Sequence, residues 1–176
     1  QGSHNDGTGA GSGYDVWARV MNADGTEAVE EFRVNTDQFS GNQYEPTVSA
    51  LGGGGFVVAW RNDQGSHDDG TGAGSGYDVW ARVFNANGTQ ITGEFRVNTY
   101  TGGSQYEPSV GGLEGGGFVV AWRDDNGNSG SRGGSSQDVF GQRYGADGTA
   151  VGDEFLVNTY TSSSQYHPSI ATLKDG

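Results

Sequence analysis

The chain has 176 residues, 34 of them glycine, and carries a formal net charge of −13 at pH 7. So acidic a chain does not suit nucleic acid or an anionic membrane surface as a partner, because both are bound through basic patches. The absence of cysteine excludes disulfides, thiol catalysis and thiolate metal sites, and the 3 prolines without a Gly-X-Y period exclude collagen.

One segment of about 60 residues is written three times along the chain. The phrase Tyr-Asp-Val-Trp-Ala-Arg-Val at 14–20 returns at 77–83, and a looser version follows at 138–144. Such a period indicates one supersecondary unit used repeatedly, each copy burying its apolar face against the next. We predict a single repeat domain over 1–176. Its repeats span 1–63, 64–123 and 124–176, and the last lacks one strand.

Two strands are predicted in the first half of the second copy. Residues 78–84 alternate, with Trp80 on one side and Val79 on the other, which is the pattern of a strand between two different surroundings. An Asn-Gly turn within 85–89 follows, a strong hairpin signal because both residues tolerate positive φ. A further strand is predicted over 94–99.

The second half of the copy adds two more strands. Residues 108–113 predict a short strand, and a glycine-rich turn at 114–117 leads into a strand at 118–122. This last segment, Phe-Val-Val-Ala-Trp, is apolar at every position. A strand without a polar face is usually buried on both sides, as it would be between stacked sheets.

The predicted fold is all-β. We expect tandem four-stranded antiparallel blades in a β-propeller-like arrangement of three incomplete repeats, with a β-trefoil or a β-solenoid as alternatives. The chain begins in the loop before one strand and stops in the turn before another, so its ends do not meet as a trefoil requires. Because it also starts at Gln1, we expect a processed piece of a longer array or a protomer completed by another chain.

The chain resembles the tandem repeats of very large secreted bacterial proteins, the RTX-associated (hemolysin-type) calcium-binding and adhesin-like proteins. The motifs that carry the resemblance include Gly-Gly-Phe-Val-Val-Ala-Trp, Asp-Val-Phe-Gly-Gln-Arg-Tyr and Gln-Tyr-His-Pro-Ser-Ile. The resemblance covers essentially the whole chain. The resemblance implies an extracellular or cell-surface location, calcium association and a propeller-like fold. The family's nonapeptide, Gly-Gly-x-Gly-x-Asp, is not cleanly present, and the nearest text at 72–78 departs from it.

The loops after the apolar strands are rich in Asp, Asn and Gly. Such loops can wrap Ca²⁺, which takes about six to eight oxygen ligands, so we predict calcium there. The alternative is that these residues only form turns and keep the loops solvated. The missing EF-hand spacing leaves this alternative open. The candidate ligands of the three copies are Asp6, Asp15, Asp63, Asp68, Asp69, Asp78, Asp124, Asp125, Asn126 and Asp138.

A second candidate site recurs in the Gln-Tyr-x-Pro phrase. An aromatic ring beside a polar group could hold a sugar by stacking and hydrogen bonding. The alternative is a Tyr packed between blades with a Glu that caps a turn. The residues concerned are Tyr44 with Glu45, Tyr106 with Glu107, and Tyr166 with His167.

Enzyme signatures are missing, with no serine nucleophile elbow and no phosphate loop. Repetition favours binding over catalysis, because repeated sites give avidity. We therefore predict a non-enzymatic structural or adhesive module of a secreted or cell-surface bacterial protein, stabilised by Ca²⁺. The alternatives are a lectin-like carbohydrate binder and a subunit that assembles into a ring or filament through open strand edges. The expected partners are further copies of the repeat, other protomers or glycans, without nucleic acid or membrane insertion.

Overall fold

A computed structural model of the chain describes residues 13–36, 41–63, 76–125 and 137–173. Within these ranges the chain forms ten β-strands and no helix. The strands are β1 (Trp17–Met21), β2 (Glu27–Arg33), β3 (Gln43–Ala50), β4 (Phe56–Asn62), β5 (Asp78–Phe84), β6 (Phe95–Arg96), β7 (Gln105–Gly112), β8 (Phe118–Asp124), β9 (Asp138–Tyr144) and β10 (Ala150–Leu156).

The strands form three sheets in which neighbours follow the order of the chain. The first sheet holds β1 and β2, the second runs β3-β4-β5-β6, and the third runs β7-β8-β9-β10. Every pairing is antiparallel. The all-β prediction is thus confirmed, and the described residues do not close a barrel or a propeller. Each four-stranded sheet takes two strands from each of two consecutive repeats. The predicted repeat boundary at 63 falls within the second sheet, and the one at 123 falls within the third.

The predicted strands match the structure unevenly. The strand predicted at 78–84 is β5, and the one at 118–122 lies within β8, whereas the strand predicted at 94–99 shrinks to Phe95–Arg96. The reason is local. The Val79 N–H donates to the side-chain Oδ1 of Asn98 (2.8 Å), so a side chain takes the place of a backbone acceptor where residues 97–99 were predicted to pair.

The fully apolar strand is buried on both faces because the sheets stack. In β4, Val58 and Trp60 face the first sheet, in a cluster with Val16, and Val57 and Ala59 face the third. The second face lies in the larger cluster. Its members are Leu51, Val57, Ala59, Val79, Ala81, Val83 and Val97 from the second sheet, and Val110, Phe118, Val120, Trp122, Phe140 and Tyr144 from the third.

Glycine lets neighbouring sheets approach at β3 and β7. A Cβ on Gly112 would lie 1.9 Å from the carbonyl oxygen of Ala50, so no other residue fits there. The Gly112 N–H also donates to Ser49 Oγ at 2.9 Å. The first strands of these two sheets therefore touch backbone to backbone, which brings the glycine-rich turns at 51–55 and 113–117 close together.

Candidate functional site

The predicted calcium ligands fall into two groups. Asp6, Asp68, Asp69 and Asn126 lie outside the described residues. The other six lie at the end of the sheets where the long loops meet. They are near the start of the third strand of a unit or at the end of the second and just after it: Asp15, Asp63, Asp78, Asp124, Asp125 and Asp138.

Three of the six aspartates accept a hydrogen bond from an asparagine that lies just after the following strand. In the second sheet, Asn98 donates from Nδ2 to Asp78 Oδ1 (2.6 Å), and its Oδ1 accepts from the Val79 N–H (2.8 Å). The same side chain donates to Gln105 Oε1 at 3.1 Å. This buried cluster ties the start of β5 to the loop before β7. The equivalent Asn-to-Asp bonds join Asn35 to Asp15 (2.7 Å) and Asn158 to Asp138 (2.7 Å).

Two further aspartates join the end of the second strand to the loop before the first strand. Asp63 accepts from both the backbone N–H and the side-chain Nδ2 of Asn42, each at 3.1 Å. Asp125 accepts from the Ser104 N–H at 2.6 Å. Because hydrogen bonds to a carboxylate are the stronger kind, these residues fix the loops whether or not an ion is bound.

The third sheet differs from the second by one buried carboxylate. Asp124 and Asp138 face each other across β8 and β9 and are 5% and 2% exposed. In the second sheet, Asn62 stands opposite Asp78 instead. The part of the chain that the structure describes holds no group of three or more metal-ligating side chains. Two facing carboxylates supply oxygens of the type that Ca²⁺ takes, but a pair is fewer than the about six to eight oxygen ligands that the ion needs.

The tyrosines of the second candidate site form a tyrosine–arginine ladder along the same end of the sheets. Arg61 lies over the rings of Tyr44 (4.8 Å to the ring centroid) and Tyr77 (4.4 Å), and Arg123 lies over Tyr106 (4.4 Å). A guanidinium between aromatic faces gains about 0.5–2 kcal/mol from each cation–π contact, depending on desolvation. In order, the ladder is Tyr14, Tyr44, Arg61, Tyr77, Tyr106, Arg123 and Tyr166.

The glutamates that follow Tyr44 and Tyr106 each contact the next unit of the chain. Glu45 accepts the Glu107 N–H (2.9 Å) and also lies 3.5 Å from Arg61. Glu107 in turn accepts the His167 N–H (2.8 Å) and lies 3.5 Å from Arg123. The three residues after the tyrosines have φ of 53°, 55° and 53°, a left-handed conformation that costs a non-glycine residue about 1–2 kcal/mol. Their backbone strain is held in place by these contacts between sheets.

Further contacts between sheets were not foreseen from the sequence. The carboxylate of Glu94 accepts the Thr36 N–H of the first sheet, and that of Glu154 accepts the Thr99 N–H of the second. Burial raises the pKa of Glu94. The recurring Asn-Thr pair was the only hint in the sequence. In two copies the N–H of its threonine donates to a glutamate of the next unit.

Compared with models of known protein families and with curated protein sequences, the chain matches none. No helix in the described ranges is long and apolar enough to cross a membrane.

Proposed function

We propose that the chain is a non-enzymatic, structural or adhesive repeat module of a secreted or cell-surface bacterial protein. Each four-stranded sheet would be one blade of a β-propeller-like array, and the first sheet would be part of another. The proposal rests on one observation, that the contacts between neighbouring sheets recur at the same positions from one junction to the next.

The recurrence is clearest in the polar contacts. Glu45 binds the backbone of Glu107 as Glu107 binds the backbone of His167. Ser49 Oγ accepts the Gly112 N–H (2.9 Å) as Ser109 Oγ accepts the Ile170 N–H (3.1 Å). Equal contacts at successive junctions mean that one operation relates each unit to the next. In a propeller-like array that operation would include a rotation about the first strands, and the close approach of β3 and β7 supports such an arrangement.

A structural role is supported by the state of the charged groups at this end of the sheets. The carboxylates of Glu45 and Glu107 each contact an arginine and a backbone N–H of the next unit. Groups held in this way stabilise the stack, while a catalytic acid or base would have to be free to exchange a proton with a substrate.

The secreted setting and the calcium belong to the same proposal. They are supported by the resemblance of the repeats to adhesin-like proteins and by the net charge of −13, which divalent cations would lower. Calcium would sit in the loops after β4 and β8, where Asp63 and Asp124 to Asp125 lie.

Hydrogen exchange followed by mass spectrometry tests the structural role. Glu107→Ala removes a contact that reaches both Arg123 and the segment at 165–173, so we expect faster exchange on both sides of the junction and a loss of about 1–3 kcal/mol of stability. The matched control is Glu31→Ala, because Glu31 is exposed on β2. Equal exchange in the two variants would contradict the proposal that these contacts hold the array together.

The lectin-like alternative is favoured by one observation. Tyr14 and Tyr166, at the two ends of the tyrosine–arginine ladder, are 58% and 53% exposed, and exposed rings can stack on sugars. A glycan array with the whole chain separates the alternatives, because binding that is lost in Tyr14→Ala and Tyr166→Ala would support a lectin. Absence of binding to every glycan on the array would rule out the lectin-like alternative.

A further inference from the structure

The first sheet has an open edge. In the described residues, β1 pairs with β2 on one side only. The Val34 N–H donates to the Val16 carbonyl at 2.8 Å, so the backbone of Val16 faces β2. Since backbone groups alternate in direction along a strand, Trp17, Arg19 and Met21 turn theirs towards the open edge.

The other two sheets show what lies at this position. The sequence of β1 matches that of β5, and β5 pairs with β4 from Phe56 opposite Phe84 to Asn62 opposite Asp78. In the third sheet, β8 pairs with β9 in the same register. In both complete sheets the occupant is a strand that contains Phe-Val-Val-Ala-Trp.

A groove of about 400 Å³ lies beside the open edge. Its walls are apolar on both sides, with Ala18 and Val20 from β1 facing Val48, Phe56 and Val58 from the second sheet. A strand placed along β1 would therefore fill the groove with one of its faces.

The third sheet supplies an internal control for this groove. Val48 is 64% exposed, whereas its equivalent, Val110, is 6% exposed. Phe56 is only partly buried, whereas Phe118 is fully buried. Val110 and Phe118 share a cluster with Val57 and Ala59 of β4, among others. A Val-Val-Ala strand of the preceding unit thus contributes to the cover of one pair, and no described residue takes its place over the other.

We propose that the open edge of β1 and its groove bind an extended Phe-Val-Val-Ala-Trp strand supplied by another copy of the repeat. The strand would run antiparallel to β1, with its Trp opposite Trp17 and its Phe opposite Met21, as Trp60 and Phe56 stand opposite Trp80 and Phe84. Residues 1–12 do not suit the groove, because their sequence contains no large apolar residue. This inference rests on the proposed role as a repeat module.

A peptide with the sequence of residues 53–63, carrying a fluorophore and a lysine tail, tests the proposal. We expect saturable binding to the whole chain, followed by fluorescence anisotropy, at one peptide per chain. A peptide with Val57→Asp should not bind, because that side chain would face the apolar wall of Val48 and Phe56, where a carboxylate lacks a partner.

A backbone variant locates the binding to the edge. Arg19→Pro removes one N–H from the open edge and should weaken peptide binding by about tenfold or more. An exposed edge tolerates proline, so circular dichroism should show the fold intact. Arg19→Ala is the matched control. It loses the same ion pair with Glu27 (3.2 Å) but keeps the N–H, and should bind as the unmodified chain does.

Three outcomes would overturn the proposal. They are no binding to a folded chain, equal binding by the proline and alanine variants, and pairing of two chains through β1 that excludes the peptide. These outcomes are distinguishable from a failure of the propeller-like arrangement, because sheets stacked in a straight line would still bind the peptide at β1.

Discussion

At each of the two junctions between sheets, a backbone carbonyl of one sheet accepts a hydrogen bond from a side chain of the next, but the donor differs between the junctions. Between the first and second sheets, Arg82 donates from Nη1 to the Val34 carbonyl at 2.7 Å. Between the second and third, the equivalent carbonyl of Val97 accepts from the Tyr144 hydroxyl, also at 2.7 Å. Burial raises the pKa of Tyr144, so its hydroxyl remains a donor at neutral pH.

The difference shows that the junction requires a buried donor, not a particular residue. The third sheet has Gln142 in place of Arg82, and it has a phenol at the position where the second sheet has Phe84. We expect the two changes to compensate each other, because each leaves the facing carbonyl with one donor. The junctions differ in a second way, because Phe118 and Val110 are buried while Phe56 is only partly buried and Val48 is exposed.

Loss of a covered aromatic side chain should have the largest effect. Phe118→Ala removes a fully buried ring and should lower the free energy of unfolding by about 3–5 kcal/mol. Phe56→Ala, at the equivalent half-covered position, should cost about half as much. Urea denaturation measures both, and equal losses would mean that the two junctions are not different in packing.

Replacement of the donor should come next. Arg82→Gln gives the second sheet the glutamine of the third and leaves the Val34 carbonyl without its guanidinium, so we expect a loss of about 1–3 kcal/mol. Adding Phe84→Tyr should restore most of it, because the new hydroxyl would reach the carbonyl as Tyr144 does. The measurement is a double-mutant cycle from urea denaturation.

The third sheet provides the reciprocal variant. Tyr144→Phe should cost about 1 kcal/mol by leaving the Val97 carbonyl without this donor. If Phe84→Tyr added nothing to Arg82→Gln, the compensation between the two junctions would be refuted.

Calcium should stabilise the chain by a similar or smaller amount. A ligand at ten times its Kd that binds only the folded state adds about 1.4 kcal/mol. Thermal unfolding should therefore occur at a higher midpoint in millimolar Ca²⁺ than in excess EDTA, with Mg²⁺ as the control ion. Asp124→Asn makes the third sheet resemble the second at Asn62 and should reduce the gain. An unchanged midpoint would remove the calcium proposal.

The smallest effect concerns Glu94. Its pKa is raised by burial above the ordinary value of 4.5, so its contribution to stability is fully present below that value and is lost as the pH rises through the folded-state pKa. At neutral pH, Glu94→Gln should therefore be slightly more stable than the unmodified chain, by less than the effects above. The gain should vanish below about pH 4.5.

Urea denaturation at several pH values measures this difference. The matched variant is Glu154→Gln, whose hydrogen bond to Thr99 is at an exposed place. A gain for Glu94→Gln that did not change with pH would show that charge burial is not its cause.

Local patterns in the sequence predicted the elements well where packing follows periodicity. The alternation at 78–84 identified β5 with its correct bounds, and the apolar run at 118–122 identified the core of β8. The strand at 94–99 was mostly wrong as a strand, because Asn98 Oδ1 takes the place of a backbone acceptor for the Val79 N–H. A side-chain hydrogen bond of this kind leaves no periodic signal.

The candidate site could be predicted only in part. The recurrence of Tyr-Glu marked Tyr44, Glu45 and their equivalents as residues that act together. That Glu45 binds the backbone of Glu107, 62 positions away, depends on how two sheets meet, which a local pattern does not contain. The cluster around Asn98 was missed for the same reason, since its partners come from three separate segments.

Small-angle X-ray scattering of lengthened chains tests the central claim most directly. The unit at 43–104, one complete sheet with its loops, would be inserted in one, two and three further copies. If each unit is a blade, the maximum dimension should level off as the array curves towards the roughly four to eight blades of a closed propeller. A maximum dimension that increases in proportion to the number of units would contradict the account.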